Sequence, residues 1–536
     1  MLTGESLAVL SGVLAHRLVF IHGEWHLLVA TLVVSHLALL GGLYALRAVW
    51  AEYVPDQALP HPVTLVCLYL SSLFSSIAVY RVFFHQLRHF PGPRLAAVSK
   101  LWHVWRCRSS RGHHVLEDWH HKYGTFVRTG PAEITIFHPA VYEAMDGPGN
   151  QNTRSDWYDL LQPRISSIFT RDRALHIQRR AIWTHALSSS AIREYHPRIL
   201  AKVRTLTELI GAQKSHPILI NEAMYWFAFD SMGDFAFSED FGMMKNKKWH
   251  RVIFTFRSAL ALLGPFSPAI WIPRLAFAFI PGLWWARWWF RMLSFCDKCM
   301  ERRMKRVLPD KDIASFFIQD HKASVNENKA LWLSGDTATL VVAGSDTNAP
   351  TLTHLFYFFA RYPDHLEKVY QELASLSSLE DTVGLAKLPH LNGMINETMR
   401  LLPAVLTFGT RVTPPEGLTI EGTFIPGGTK LCAPRYTIGR LESAYAKPHE
   451  FIPERWYSQP ELIRDRRAFA PFGVGNTSCV GKNLALTQIR LVAAALVSRY
   501  HINFAPGSNG EQVERDMKDQ LTAQPGACRL VFVERE

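Results

Sequence analysis

Charge is scarce in this 536-residue chain. Only 19% of its residues are Asp, Glu, Lys or Arg, against 48% hydrophobic, so a solvated, disordered protein is excluded and a large core with membrane segments is expected. Cysteine is thin as well: Cys67, Cys107, Cys296, Cys299, Cys432, Cys479 and Cys528 are odd in number and scattered. That is no disulfide framework, and it favours a reducing compartment for the main domain. The one C-x-x-C, Cys296-Asp297-Lys298-Cys299, lacks the second pair a zinc site would need and lies in a helical pattern, so it reads as plain helix positions. There is no dinucleotide fingerprint, arginine-rich arm or zinc-finger spacing. The net charge of +12 therefore points to an anionic membrane surface or an acidic protein partner, and nucleic acid is not expected.

Long apolar runs are present near the start. Leu27 to Leu46 carries no charge, and Val63 to Phe84 carries only Arg81; both are long enough to cross a bilayer. Leu7 to Ile21 is apolar but interrupted by His16 and Arg17, which leaves the span count at two or three. No basic stretch precedes Leu7 and no small-residue cleavage site follows it, so a cleaved signal peptide is not expected. Arg81, Arg88, Arg94 and Lys100 follow the last run, which puts that side in the cytosol by the positive-inside rule. His89-Phe90-Pro91-Gly92-Pro93 breaks the helix as a stiff hinge. The organisation read from this is a membrane anchor at 1–88, a proline-rich hinge at 89–100 and a globular catalytic domain at 101–536.

The chemistry centres on Phe472-Gly473-Val474-Gly475-Asn476-Thr477-Ser478-Cys479-Val480-Gly481. The residues after it follow a helical apolar pattern, which places Cys479 at a helix N-terminus. Free backbone N–H groups and the helix dipole there favour a thiolate. Gly473 and Gly475 permit a tight loop with no side chain blocking a flat ligand. A thiolate so held suits haem iron.

This stretch resembles the haem-binding signature of the cytochrome P450 family, Phe-x-x-Gly-x-Arg-x-Cys-x-Gly, with Phe472, Gly475, Cys479 and Gly481 in place and Thr477 where the family has arginine. Three further motifs follow the family's order. His176 and Arg180, one helical turn apart, match the helix whose basic residues contact haem propionates. Ala343-Gly344-Ser345-Asp346-Thr347 matches the oxygen-activation motif, in a helix expected over Leu331–Arg361. Gly344 would let that helix approach the haem, and Asp346 and Thr347 would relay protons to dioxygen. Pro350 removes the N–H that would bond the Asp346 carbonyl, so a kink is expected there. Glu397, Arg400 and Arg455 match the family's buried charge network, where losing one partner would abolish folding. Arg411 matches another propionate-binding arginine and would offset Thr477.

The resemblance implies a mainly α fold with small β-sheets, preceded by N-terminal transmembrane helices. It implies haem b with Cys479 as axial ligand, and insertion of one oxygen atom from O2 into a hydrophobic small molecule of fungal secondary metabolism. The stretch after Cys479 is too short for a flavin domain, so electrons are expected from an NADPH-cytochrome P450 reductase in the endoplasmic reticulum membrane, with cytochrome b5 a further donor. The aromatic-rich residues 250–300, with Trp271, Trp284, Trp285, Trp288 and Trp289, would roof the substrate pocket and dip toward lipid. Two alternatives stand beside this: a haem-thiolate isomerase or dehydratase needing no reductase, and a non-catalytic haem-binding membrane protein.

Overall fold

The computed structural model describes residues 3–53, 60–247, 251–308, 311–407 and 409–536. Two N-terminal helical stretches, Trp25–Tyr53 and Pro62–Phe84, are long and apolar enough to cross a membrane and are almost wholly exposed along their length. Outside water such surface has no cost, which is why an all-round apolar helix reads as a span. The third run behaves differently. Its helix, Gly4–Ala15, lies along Pro62–Val79, and Gly12 is pressed against Ser72 and the Tyr69 carbonyl. A third stretch with sufficient length and hydropathy, Arg251–Ala269, is 44% buried, so much of its apolar surface is already covered by protein.

The proline-rich segment is pinned to the strand Phe126–Gly130. The Arg128 N–H donates to the Pro91 carbonyl at 2.7 Å, and Gly92 sits so close to Arg128 that a Cβ would collide with its backbone. Arg81 Nη1 donates to the Val98 carbonyl at 2.7 Å. The anchor is tied down elsewhere too, through Arg171–Glu24 at 2.7 Å and His26–Asp156 at 2.9 Å.

The chain beyond the proline-rich segment is mainly helical. At its centre lies Ile220–Phe237, buried on nearly every side, against which Lys329–Asp346 and Asn348–Arg361 pack. Around this centre the helices are amphipathic. Ser189–Gly211 is capped by Ser188 and buries Ala191, Tyr195, Ile199, Val203 and Leu206 at three- and four-residue spacing. A five-stranded sheet runs in the order Phe126–Gly130, Glu133–Ile136, Lys430–Cys432, Thr410–Val412, Thr153–Arg154. Its Glu133–Ile136 and Lys430–Cys432 strands are parallel and its other pairs antiparallel. A three-stranded sheet and two hairpins complete the β structure among the described residues. Cys296 and Cys299 are buried in the helix Ala286–Met304, as plain helix positions should be.

The helix expected over Leu331–Arg361 is two helices, Lys329–Asp346 and Asn348–Arg361, with Thr347 between them. Pro350 is the third residue of the second helix, where its missing N–H would have bonded Asp346. Helical hydrogen bonding is thus interrupted one residue after the acidic position of the motif.

Candidate active site

Cys479 is placed by its loop. Gly473 and Gly475 have φ of 71° and 60°, a region that glycine alone enters freely. The Cys479 N–H donates to the Phe472 carbonyl at 2.7 Å, closing the loop. Gly475 lies flush against the Asp146 carbonyl, with no space for a Cβ. Three residues after the cysteine the helix Lys482–Val497 begins, capped by Gly481, so the predicted helix-start position holds. The predicted electrostatic balance does not. Burial raises the Cys479 thiol above its ordinary pKa, and the Gly481 and Lys482 amides, with Arg180, only oppose that rise. The residue is nevertheless exposed to solvent.

A second open position lies on the Lys329–Asp346 helix. Its neighbours Leu340, Val341, Ser345 and Asp346 are buried, yet Ala343 is exposed and Thr347 half-exposed. Asn348 Nδ2 donates to Gln488 Oε1, joining this region to the helix that follows Cys479. The residues suit a flat prosthetic group held by a thiolate: Cys479 is open in a glycine loop, and the open positions of the motif helix carry only a methyl and a hydroxyl. Gly344 also eases packing within the protein. A Cβ there would come within 3.1 Å of Met232, so the glycine admits the Ile220–Phe237 helix, and Ala343 is the residue open to the cleft.

The two residues of the acid–alcohol pair diverge. Thr347 Oγ1 donates to the Ala343 carbonyl at 2.8 Å, leaving its lone pairs to accept from a guest in the cleft. The Asp346 carboxylate turns into the core, where Thr522, Tyr225 (3.3 Å) and Gln524 (3.5 Å) donate to it. Burial pushes its pKa up to about 6, although these donors pull it down. No hydrogen bond joins Asp346 to Thr347 among the described residues.

This shift makes a stability prediction. The folded protein holds the Asp346 proton up to about pH 6, whereas the unfolded chain releases it near the ordinary 3.8. Between those values the folded state binds more protons, so this group's effect on stability turns unfavourable as pH rises through the window. Asp346→Asn removes the effect. The variant should therefore gain stability over the parent between pH 4 and 7, on the order of 2–3 kcal/mol, read by denaturant unfolding at each pH. Asp519, also pushed up to about 6 by burial, is present in both proteins and cancels in the difference.

The basic residues gather on the cysteine loop. Arg180 Nη2 donates to Ser478 Oγ at 3.4 Å. His176 is buried, 2.6 Å from the Ser167 carbonyl, 3.0 Å from Arg154 and 3.5 Å from the Asn476 carbonyl. Arg411 reaches Thr477 Oγ1 at 3.2 Å, the position where the signature's arginine is missing. It is also held by both Asp146 oxygens, at 2.7 and 2.9 Å, and by Tyr158 at 2.6 Å. Its charge therefore meets a protein carboxylate before it meets any ligand. Asp146, Tyr158 and Arg154 were invisible as site residues, because no local pattern marks them. The same is true of the Tyr225, Thr522 and Gln524 partners of Asp346.

Glu397, Arg400 and Arg455 converge with no side-chain exposure. Glu397 accepts from Arg400 (2.7 and 2.9 Å), Arg455 (2.9 Å), Trp456 Nε1 (2.9 Å) and the Ile452 amide (2.9 Å). The outer edges of the guanidinium groups donate to backbone carbonyls, among them Gly439 and Pro448 for Arg400 and Ala446 and Leu462 for Arg455. Trp456 is a member of the network that the charge pattern alone did not reveal.

Residues 91–531 match the family described as Cytochrome P450. The chain is 35% identical over 474 residues to cytochrome P450 monooxygenase sthD of Phaeosphaeria nodorum, covering 87% of this chain and 99% of that protein. It is 34% identical over 516 residues to tryprostatin B 6-hydroxylase of Aspergillus fumigatus, covering 94% and 91%. With cytochrome P450 monooxygenase phqL of Penicillium fellutanum the identity is 33%, covering 99% and 94%. The cysteine loop, the motif helix with its exposed Ala343 and the buried charge network all lie within the matched residues 91–531, and the chain belongs to the cytochrome P450 family.

Proposed function

We propose that this P450 hydroxylates a hydrophobic natural product, taking electrons from an NADPH-dependent flavoprotein reductase in the endoplasmic reticulum membrane. The observation that carries the reading is an accessible Cys479 at the end of its glycine loop, in a chain whose motif helix leaves Ala343 exposed and Thr347 half-exposed. Haem b, when bound, supplies reductive activation of dioxygen. The chain's own residues do the rest. Cys479 would hold the group as a thiolate from the helix start. Arg180 would offset the sulfur's charge and, with His176 and Arg411 on the cysteine loop, would hold the group's carboxylates. Phe472, Gly475 and Gly481 shape the loop. Thr347 positions a water or substrate hydroxyl, and Asp346, poised near pH 6, is a proton reservoir behind it.

Residues 1–88 act as the anchor, 89–100 as a docked connector and 101–536 as the catalytic domain facing the cytosol. The helix Trp271–Phe279 packs beside the spanning helix Val29–Tyr53, and Phe279, Ile280 and Trp284 are exposed. This apolar rim would let a substrate pass from lipid to the pocket. The relative named tryprostatin B 6-hydroxylase makes tryprostatin B the first compound to screen.

Reconstitution with a fungal P450 reductase tests the reading. Substrate-stimulated NADPH consumption with one oxygen added to product is expected; turnover of the same substrate without reductant would favour an isomerase. In the same assay Pro350→Ala, which restores an N–H opposite the Asp346 carbonyl, should lower the share of NADPH that ends in product. Unchanged coupling would mean that the break at Thr347 has no part in proton delivery.

A further inference from the structure

A second cluster of metal-ligating side chains lies in the catalytic domain, outside the cysteine loop and the cleft. His365 comes from the helix Pro363–Ala374, His390 from the first turn of Pro389–Leu401 and Glu454 from the turn Pro453–Trp456. His365 Nδ1 stands 3.2 Å from His390 Nε2 and 3.7 Å from Glu454 Oε1. One ligand atom from each residue lies within 4.8 Å of the other two. We infer that His365, His390 and Glu454 form a zinc-binding site that clamps these three elements together, with a fourth coordination position left to water.

The spacing supports it. A tetrahedral zinc with bonds of about 2.0–2.1 Å separates its ligands by about 3.3 Å, so two of the pairs stand close to liganded distance before any ion arrives. Two imidazoles and one carboxylate are a zinc donor set, and harder cations such as magnesium prefer all-oxygen sites. The second layer of contacts is present as well. His390 Nδ1 faces the Tyr457 hydroxyl at 2.9 Å, which leaves Nε2 as the ligand atom. The Glu372 carboxylate accepts from the backbone amides of His390 and Leu391 at 2.7 and 2.9 Å, fixing the helix start.

Without a metal the two rings are joined by a hydrogen bond of 3.2 Å, whose place an ion would take. His365 Nδ1 and His390 Nε2 face each other, and at most one can carry the hydrogen between them. Burial lowers the pKa of both rings. One competitor is present: Lys368 Nζ lies 2.7 Å from Glu454 Oε1. Its side chain is 52% exposed and is free to swing into water when an ion takes the carboxylate.

The consequence reaches the core. Glu454 precedes Arg455, and His390 begins the helix that carries Glu397 and Arg400. A metal here would fasten the chain segments that the buried charge network also joins.

The test uses full-length, haem-loaded, tag-free protein in detergent, titrated with zinc chloride and checked for intact haem by its reduced carbon monoxide spectrum. The parent should take up one more equivalent of zinc per chain than His365→Ala or Glu454→Gln, and zinc should raise its unfolding temperature but not theirs. Lys368→Ala changes only an exposed side chain and removes the competitor. Its half-saturating zinc concentration should fall roughly two- to fivefold, the effect of one exposed ion pair. Equal zinc uptake by parent and site variants overturns the proposal, as does a half-saturation unmoved by Lys368→Ala. If neither site variant retains haem, the Lys368→Ala comparison decides alone.

Discussion

Glu397→Ala is expected to yield no folded haem protein. The carboxylate satisfies two fully buried guanidinium groups, an indole N–H and a backbone amide at once. Truncating it leaves two positive charges in the core with only neutral carbonyls around them. Breaking one buried ion pair costs about 3–5 kcal/mol, and here two are broken together. A domain's whole margin is about 5–15 kcal/mol, so the loss consumes most or all of it. The check is the yield of haem-containing protein and its denaturant midpoint beside the parent, with Lys447→Ala as a control: its bond to Glu450 at 3.3 Å is surface-exposed and worth well under about 1 kcal/mol. A Glu397→Ala protein within about 1 kcal/mol of the parent would contradict the buried-network account.

Cys479→Ser is expected to separate folding from chemistry. The loop is closed by the Cys479 backbone N–H and the glycines around it, none of which the substitution alters. Exposed as it is, the side chain leaves no cavity when sulfur becomes oxygen, so stability should change by less than about 1 kcal/mol. Activity should fall at least roughly a thousandfold, the scale seen when a group on which every step depends is removed. Product formation with reductase, measured beside the denaturant midpoint, checks both halves. A variant that stays active shows that another residue holds the haem. One that unfolds shows that the sulfur packs as a core group.

The parts of this molecule that were legible in its sequence are those encoded locally. Apolar runs without charge gave the two exposed helical stretches, and the glycine loop before a helical pattern gave the position of Cys479. Glu397 and Arg400 share one helix face, so their pairing could be anticipated; Trp456 could not, because a tryptophan beside an arginine has many other uses. The Asp346–Thr347 pair was read as one device because the two are neighbours in sequence. The helix ends between them, and burial sends the carboxylate to Tyr225 and Thr522, more than a hundred residues away on either side. The thiol was read as acidified by its helix start, since local reading sees the amides and misses the surrounding protein that desolvates it. Arg411 was read as a ligand for a propionate, and its carboxylate partner Asp146 lies on a segment with no motif at all.

The measurement that bears most directly on the central claim is the absorption spectrum of the reduced protein under carbon monoxide. A Soret band strongly red-shifted from that of a histidine-ligated haem is the predicted result, since it requires Cys479 to reach the iron as thiolate despite the burial that raises its pKa. A band at the position of a globin's, in protein whose unfolding midpoint shows an intact fold, would contradict thiolate ligation and the monooxygenase chemistry built on it.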